Sequence, residues 1–212
     1  MATNPFFPEA SRNWPSRGGV MTEEAYHELE RLTPDRKFEY IEGIAYMMSG
    51  GSAAHDRITY NMRFALDSQL QNSSCTAFGV DIQVLVGMKK NGKRHFVYPD
   101  ATVSCESADK EPDNTLIESP RVVVEVLSPG TEAKDRGTKF KAYQQCPSIQ
   151  EIVLVSQFAP YVEVWQKEEQ DSSRWLYRHY GPNEIVGLYS IDTSIEMKAI
   201  YRGLNFAEPD ET

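Results

Sequence analysis

Cysteine is scarce in this chain, with three in 212 residues (Cys75, Cys105 and Cys146). An odd, dispersed set excludes a disulfide framework and a thiolate zinc site, and it fits a reducing, cytoplasmic setting. Long apolar runs are missing too. The nearest attempt, "SIQEIVLVS", falls far short of the ~20 residues that span a bilayer, so no membrane partner is expected. The start "MATNPFFPEASRNWPSRGGV" has neither the basic opening nor the apolar stretch of a secretory signal. There is no phosphate-binding P-loop and no dinucleotide glycine fingerprint, and "LSPGT" is not a serine-hydrolase elbow.

Basic residues are the minority, 22 Lys and Arg against 31 Asp and Glu, for a net charge of −9. Affinity for a phosphate backbone comes mainly from counterions displaced by Lys and Arg, so non-specific coating of nucleic acid is excluded. The charge is uneven. Residues 150–212 hold 11 acids and 5 bases, whereas Lys89, Lys90, Lys93 and Arg94 cluster without an acid. Lys134, Arg136, Lys139 and Lys141 form a second cluster, with Glu132 and Asp135. These clusters are either a locally positive face or solvated turns.

What is present suffices for a core: 40% of residues are hydrophobic and 11% aromatic. Residues 1–20 read as a flexible leader, 21–205 as one domain and 206–212 as an acidic tail. Thr22 is a candidate cap for a helix over 22–32. "FEYIEGIAYMMSG" (38–50) predicts two strands turning at Glu42-Gly43. Ile58, Met62, Ala65, Leu66 and Leu70 recur at helical spacing, predicting an amphipathic helix over 53–71. Strands follow at 76–87 and 95–105, joined through the hairpin signal Asn91-Gly92. "RVVVEVLS" (121–128) is apolar on both faces, as in a central strand. A loop and helix over 129–146 lead to strands at 149–157 and 161–168, and the remainder alternates like a meander. The strand–helix–strand unit at 121–157 predicts a parallel crossover in a mixed sheet. The expected class is α+β.

Glu125 is the one carboxylate in an otherwise apolar strand. Burying it alone costs several kcal/mol, so a cation or strong donor should lie beside it. It is either a salt-bridged glutamate or a functional acid. Asp100 sits in a β-like run after Pro99, which lacks the N–H a ladder needs and argues for an edge, bulge or strand end. Together, an Asp on one strand, a Glu on the next and a Lys soon after suit a divalent-metal phosphodiesterase site. Hard carboxylate oxygens hold Mg²⁺ or Mn²⁺, which lowers the pKa of bound water, and a lysine orients the nucleophile.

The blocks "FEYIEGIAYMMSGGSAAHDRI", "YPDATV", "VVVEVLSPGTEAKDRGTKFKAYQQCPSIQEIVLVSQ" and "VEVW" resemble the bacterial Uma-two family of restriction-endonuclease-like proteins, within the PD-(D/E)XK nuclease superfamily. The resemblance spans roughly residues 21–200. It implies a restriction-endonuclease-like core: a mixed central sheet flanked by helices, with additional C-terminal strands. It also implies a metal-dependent endonuclease that hydrolyses DNA phosphodiester bonds with one or two Mg²⁺ or Mn²⁺ ions. By this resemblance Asp100 and Glu125 are the metal-binding acids and Lys139 the site lysine. The superfamily lysine normally follows the second acid by two residues, where this chain has Leu127. Lys139 must therefore reach back from a helix, with Lys141 its competitor.

Glu39 matches a further family acid, and His55 the histidine that opens the long helix, as a phosphate contact or a cap. Asp81 is a candidate supporting acid in its strand. His27, His95 and His179 show no ligand spacing. The partners implied are DNA and, in a dimeric arrangement, a second copy of the chain. The alternative is a catalytically silent DNA-binding or protein-interaction module that keeps the fold.

Overall fold

The computed structural model describes residues 20–87 and 94–206. The leader through residue 19, the lysines at 89, 90 and 93, the Asn91-Gly92 turn and the tail from 207 lie outside the described residues. Helix α1 (Glu23–Leu32) starts as its sequence predicts, with the Thr22 hydroxyl accepting from the N–H of Ala25 at 3.2 Å. Strands β1 (Phe38–Ile41) and β2 (Ile44–Met47) form a hairpin. Its turn residues Glu42 and Gly43 have φ of 52° and 83°, the left-handed pair a two-residue hairpin turn requires. Helix α2 (Ala53–Leu70) buries Ile58, Met62, Leu66 and Leu70 on one stripe.

Beyond α2 the chain passes repeatedly between two sheets. The run 76–87 is not one strand: β3 (Thr76–Gly79) and β4 (Gln83–Val86) belong to different sheets. The run 95–105 is likewise split at Tyr98-Pro99-Asp100 into β5 (His95–Val97) and β6 (Ala101–Ser104). Pro99 stands where the ladder stops, as its missing donor requires. The loop then forms a 3₁₀ turn at Ala108–Lys110 and the short strand β7 (Leu116–Ile117).

Strand β8 (Pro120–Leu127) is central, and its successor is a helix in three parts. These are α3 (Glu132–Lys134), a π-helical segment (Asp135–Lys139) and α4 (Phe140–Gln145). Next come β9 (Glu151–Ser156), β10 (Val162–Lys167), β11 (Trp175–Tyr180), β12 (Ile185–Leu188) and β13 (Thr193–Glu196). The meander closes on a short helix, α5 (Met197–Ile200), instead of another strand.

Six strands make the main sheet, in the order β11-β10-β9-β8-β6-β3. Strands β8 and β9 are parallel and the other neighbours antiparallel, so the expected crossover is present. A second sheet runs β2-β1-β5-β4-β7, and β12 pairs with β13. On one face of the main sheet, Val122, Val124, Val126, Val153 and Val155 pack against α2, β12–β13 and α5. On the other face, Val123, Leu127, Ile152 and Leu154 meet Ala142 and Tyr143 of α4 and the valines of the second sheet. Helix α1 covers the outside of that sheet through Tyr26 and Leu29. Among the described residues no helix is long and apolar enough to cross a membrane.

The reading of the cysteines as free thiols is corrected: Cys75 and Cys105 form a disulfide, and Cys146 alone is free and buried. The pair Thr76–Ser104 in the β3–β6 ladder sets the two cysteines side by side, although thirty residues separate them in sequence. Cysteine usage therefore gives no support to a reducing setting.

Candidate active site

The site forms where the two sheets approach each other. Ala101 pairs with Val124, so one further step of the β6–β8 ladder sets Asp100 opposite Glu125. Opposed residues of an antiparallel pair point to the same face. Asp100 is latched there: its Oδ2 accepts the N–H of Val126 at 2.7 Å and lies 3.3 Å from His55 Nε2. Neither contact uses Oδ1.

Glu125 is 3% exposed, and it has the cation its burial demands. Lys139 Nζ lies 2.6 Å from Oε1, and the Tyr143 hydroxyl donates to the same oxygen. Neither contact uses Oε2. The ammonium also reaches Glu39 Oε1 at 2.8 Å and Asp135 Oδ1 at 3.5 Å. Lys134 binds the other oxygen of Glu39 at 2.5 Å. Glu39 thus brings a strand of the second sheet into the cluster, and its Oε1 also accepts the N–H of Tyr98 at 3.2 Å. Lys141, two residues on, is exposed on another face of the helix.

His55 sits in the first turn of α2, whose cap Ser52 accepts from the His55 N–H at 3.1 Å. A Cβ at Gly51 would come within 2.9 Å of the His55 ring, so the small-residue loop leaves room for the imidazole to reach Asp100. Histidine thus joins the site as a partner of Asp100 while Ser52 is the cap. Asp81 does not join. It lies in the turn between β3 and β4, not in a strand, with its side chain 94% exposed and paired to Lys37.

Three site residues escaped the sequence reading: Lys134, which it placed only in a charge cluster, Asp135 and Tyr143. Asp135 stands four residues before Lys139, a spacing that places both on one helix face. Tyr143 stands four residues after Lys139; its inward direction is legible from periodicity, but the target of its hydroxyl is not.

Electrostatics follow from burial. Desolvation pushes the Glu125 carboxyl well above the usual range; Lys139 opposes this, and Asp135, Asp100 and Glu39 add to it. Desolvation likewise raises Asp135 against the pull of Lys139. Burial would also raise Glu39, but Lys139 and Lys134 outweigh it and hold the carboxyl at about 2. Burial would lower Lys139, yet Glu125 and the surrounding anions hold its pKa well above the usual value. His55 is raised by its hydrogen bond to Asp100, against burial.

These residues line an open cleft of about 1460 Å³ between the loop before α2 and the loop Ser128–Thr131. Among the described residues, no three His, Cys, Asp or Glu side chains converge as a ready-made ligand group. The donor chemistry nonetheless fits a hard divalent cation. Four carboxyl groups (Glu39, Asp100, Glu125 and Asp135) meet two lysines, and two of the four have raised pKa values that added positive charge would relieve.

Three likenesses accompany this geometry. An uncharacterized protein of Synechocystis sp., slr1290, is 34% identical over 170 residues, covering 80% of this chain and 86% of that protein. A second uncharacterized Synechocystis protein, sll1609, is 29% identical over 150 residues, covering 70% of this chain and 81% of its own length. The crystal structure of a "putative nuclease belonging to DUF820" from Anabaena variabilis superposes with a TM-score of 0.63 at 17% identity, covering 79% of this chain and 90% of that one. The fold is therefore restriction-endonuclease-like. Residues 23–191 match the Uma2 family, described as "Putative restriction endonuclease", and the chain belongs to that family.

Proposed function

We propose that this protein is a divalent-metal-dependent endonuclease that hydrolyses DNA phosphodiester bonds. The observation that carries the reading is Asp100, immediately before β6 and one step beyond the Ala101–Val124 pair, set opposite Glu125 of β8, with Lys139 against Glu125. Asp100 and Glu125 would hold Mg²⁺ or Mn²⁺, and each has one oxygen tied to the protein while the other takes none of those bonds. When bound, such an ion stabilises charge on the phosphate and acidifies water. Tyr143 and the N–H of Val126 fix the two carboxylates. Lys139 positions the attacking water beside Glu125. His55 donates toward the phosphate from the mouth of α2. Glu39 and Asp135 keep Lys139 charged and aimed.

A second reading, a silent module that keeps the fold, is favoured by one observation. Lys139 and Tyr143 already satisfy Glu125 without an ion.

Supercoiled plasmid and single-stranded DNA incubated with Mn²⁺, Mg²⁺ or chelator separate the readings. Cleavage that needs an ion and disappears in Asp100→Ala supports the enzyme. A folded protein that neither cleaves nor binds Mn²⁺ in calorimetry overturns it.

A further inference from the structure

The face of the main sheet that carries Glu125 does not end at the acids. Register partners run in one transverse row from Glu125 to Leu154 of β9, Glu163 of β10 and His179 of β11. Three strand spacings separate the ends of that row, roughly 14 Å. Helix α4 covers the near part, where Phe140 packs edge-on against Trp165 with ring centroids 5.2 Å apart. Beyond it Tyr177 and His179 are exposed, and Tyr161 is half-buried beside them.

Tyr177 is 45% exposed and lies 4.7 Å from the Trp165 ring. Exposed His179 sits 5.9 Å from Tyr177 and stacks on Tyr161 at 5.8 Å. The Tyr161 and Tyr177 hydroxyls share a 3.1 Å hydrogen bond, which fixes the two rings relative to each other. Arg136 stands between this cluster and the acids. It neutralises Glu163 through two bonds, at 3.1 and 2.5 Å, so no uncompensated acid interrupts the path. The acids Glu168, Glu169 and Asp171 lie in the turn at the other end of the β10–β11 hairpin.

A sheet face bearing exposed, mutually fixed rings beside an arginine has the chemistry that receives unstacked bases. Every base has a π-face, so such a platform asks only that the nucleotides be unpaired.

We infer that Tyr161, Tyr177 and His179 form a stacking platform for an unpaired stretch of the nucleic acid whose backbone lies at Asp100 and Glu125. This rests on the nuclease reading for the choice of ligand and extends it: the substrate is single-stranded, or is locally opened beside the cleaved bond. Nearness to the acids, three strands away in the same register row, favours this occupant over a protein partner.

The platform is tested without cleavage. A short oligodeoxythymidylate and the matching oligouridylate are titrated in chelator while intrinsic Trp fluorescence and oligonucleotide anisotropy are followed. Binding of either oligonucleotide is expected, and the two arms separate DNA from RNA. Tyr177→Ala should weaken binding at least about ten-fold, while Tyr177→Phe, which keeps the ring, should bind as the parent does. Absence of binding by the parent, or an Ala variant that binds equally well, overturns the platform. Plasmid nicking with Mn²⁺ is scored separately. Binding without nicking by the parent removes the proposed enzyme and leaves the platform standing. Nicking without oligonucleotide binding does the reverse.

Discussion

Lys139 bonds Glu125 of one sheet and Glu39 of the other with a single ammonium, at 2.6 and 2.8 Å. Removing it leaves buried carboxyl groups without their common cation. Lys139→Ala should therefore abolish cleavage and also lower stability by about 3 kcal/mol. Exposed Lys141→Ala should stay within about 0.5 kcal/mol of the parent in urea unfolding and cleave normally. A Lys139→Ala protein that cleaves at the parent rate would show the lysine to be structural alone.

Asp100 and Lys139 should separate in ion binding. Asp100→Ala should lose both cleavage and the Mn²⁺ binding heat. Lys139→Ala should retain most of that heat, because its ammonium is no ligand. Calorimetry on the two variants, each first checked for folding, decides the assignment.

Tyr143→Phe deletes one buried donor to Glu125 and changes no volume of consequence. A stability loss of about 1.5 kcal/mol is expected. Equal urea midpoints for variant and parent would mean that Lys139 alone satisfies the carboxylate.

The acid limb of the stability curve should carry Glu39. Its folded pKa, about 2, lies below its ordinary 4.5. The stabilisation is thus present in full above pH 4.5 and is lost as the pH falls toward 2. Glu125 works in the opposite sense: its raised pKa favours the folded state at low pH, a contribution lost as the pH rises beyond 4.5. Glu39→Gln should flatten the decline between pH 4.5 and 2 in unfolding measured at successive pH values, and an unchanged slope would contradict the assignment.

Reducing the Cys75–Cys105 bond should cost about 2–4 kcal/mol, since it frees a thirty-residue separation in the unfolded chain. Thermal unfolding with and without dithiothreitol measures this. A Cys75→Ser/Cys105→Ser protein should melt like the reduced parent and ignore the reagent.

Much of the fold could be read from residues. The stripe of Ile58, Met62, Leu66 and Leu70 set α2, Glu42-Gly43 set the first turn, and the apolar β8 announced a central strand. Alternation in 76–87 correctly predicts extended chain, but it carries no record of the partner strand. That is why the exchange of sheets at 80–82 was invisible and Asp81 was misplaced. The cysteines were misread for the same reason, since only the β3–β6 register makes Cys75 and Cys105 neighbours. In the site, Glu125 announced itself by costing too much to bury alone. Asp135 did not, because a helix of mixed polarity hides which of its charged groups turn inward, and Tyr143 showed its inward direction but not the target of its hydroxyl.

The distance in sequence between Glu39 and Lys139, one hundred residues, has a kinetic consequence. Contacts between remote segments form only after the intervening chain has been gathered, so chains rich in them fold slowly. The β8–α4–β9 unit is local and can assemble early, whereas the ammonium meets its second acid only when the two sheets dock. Glu39 should accordingly show a transition-state φ-value near zero, with core valines of β8 and β9 well above it. The chemical groups of this protein would then be brought together by the closing step of folding, after most of the hydrophobic framework is in place.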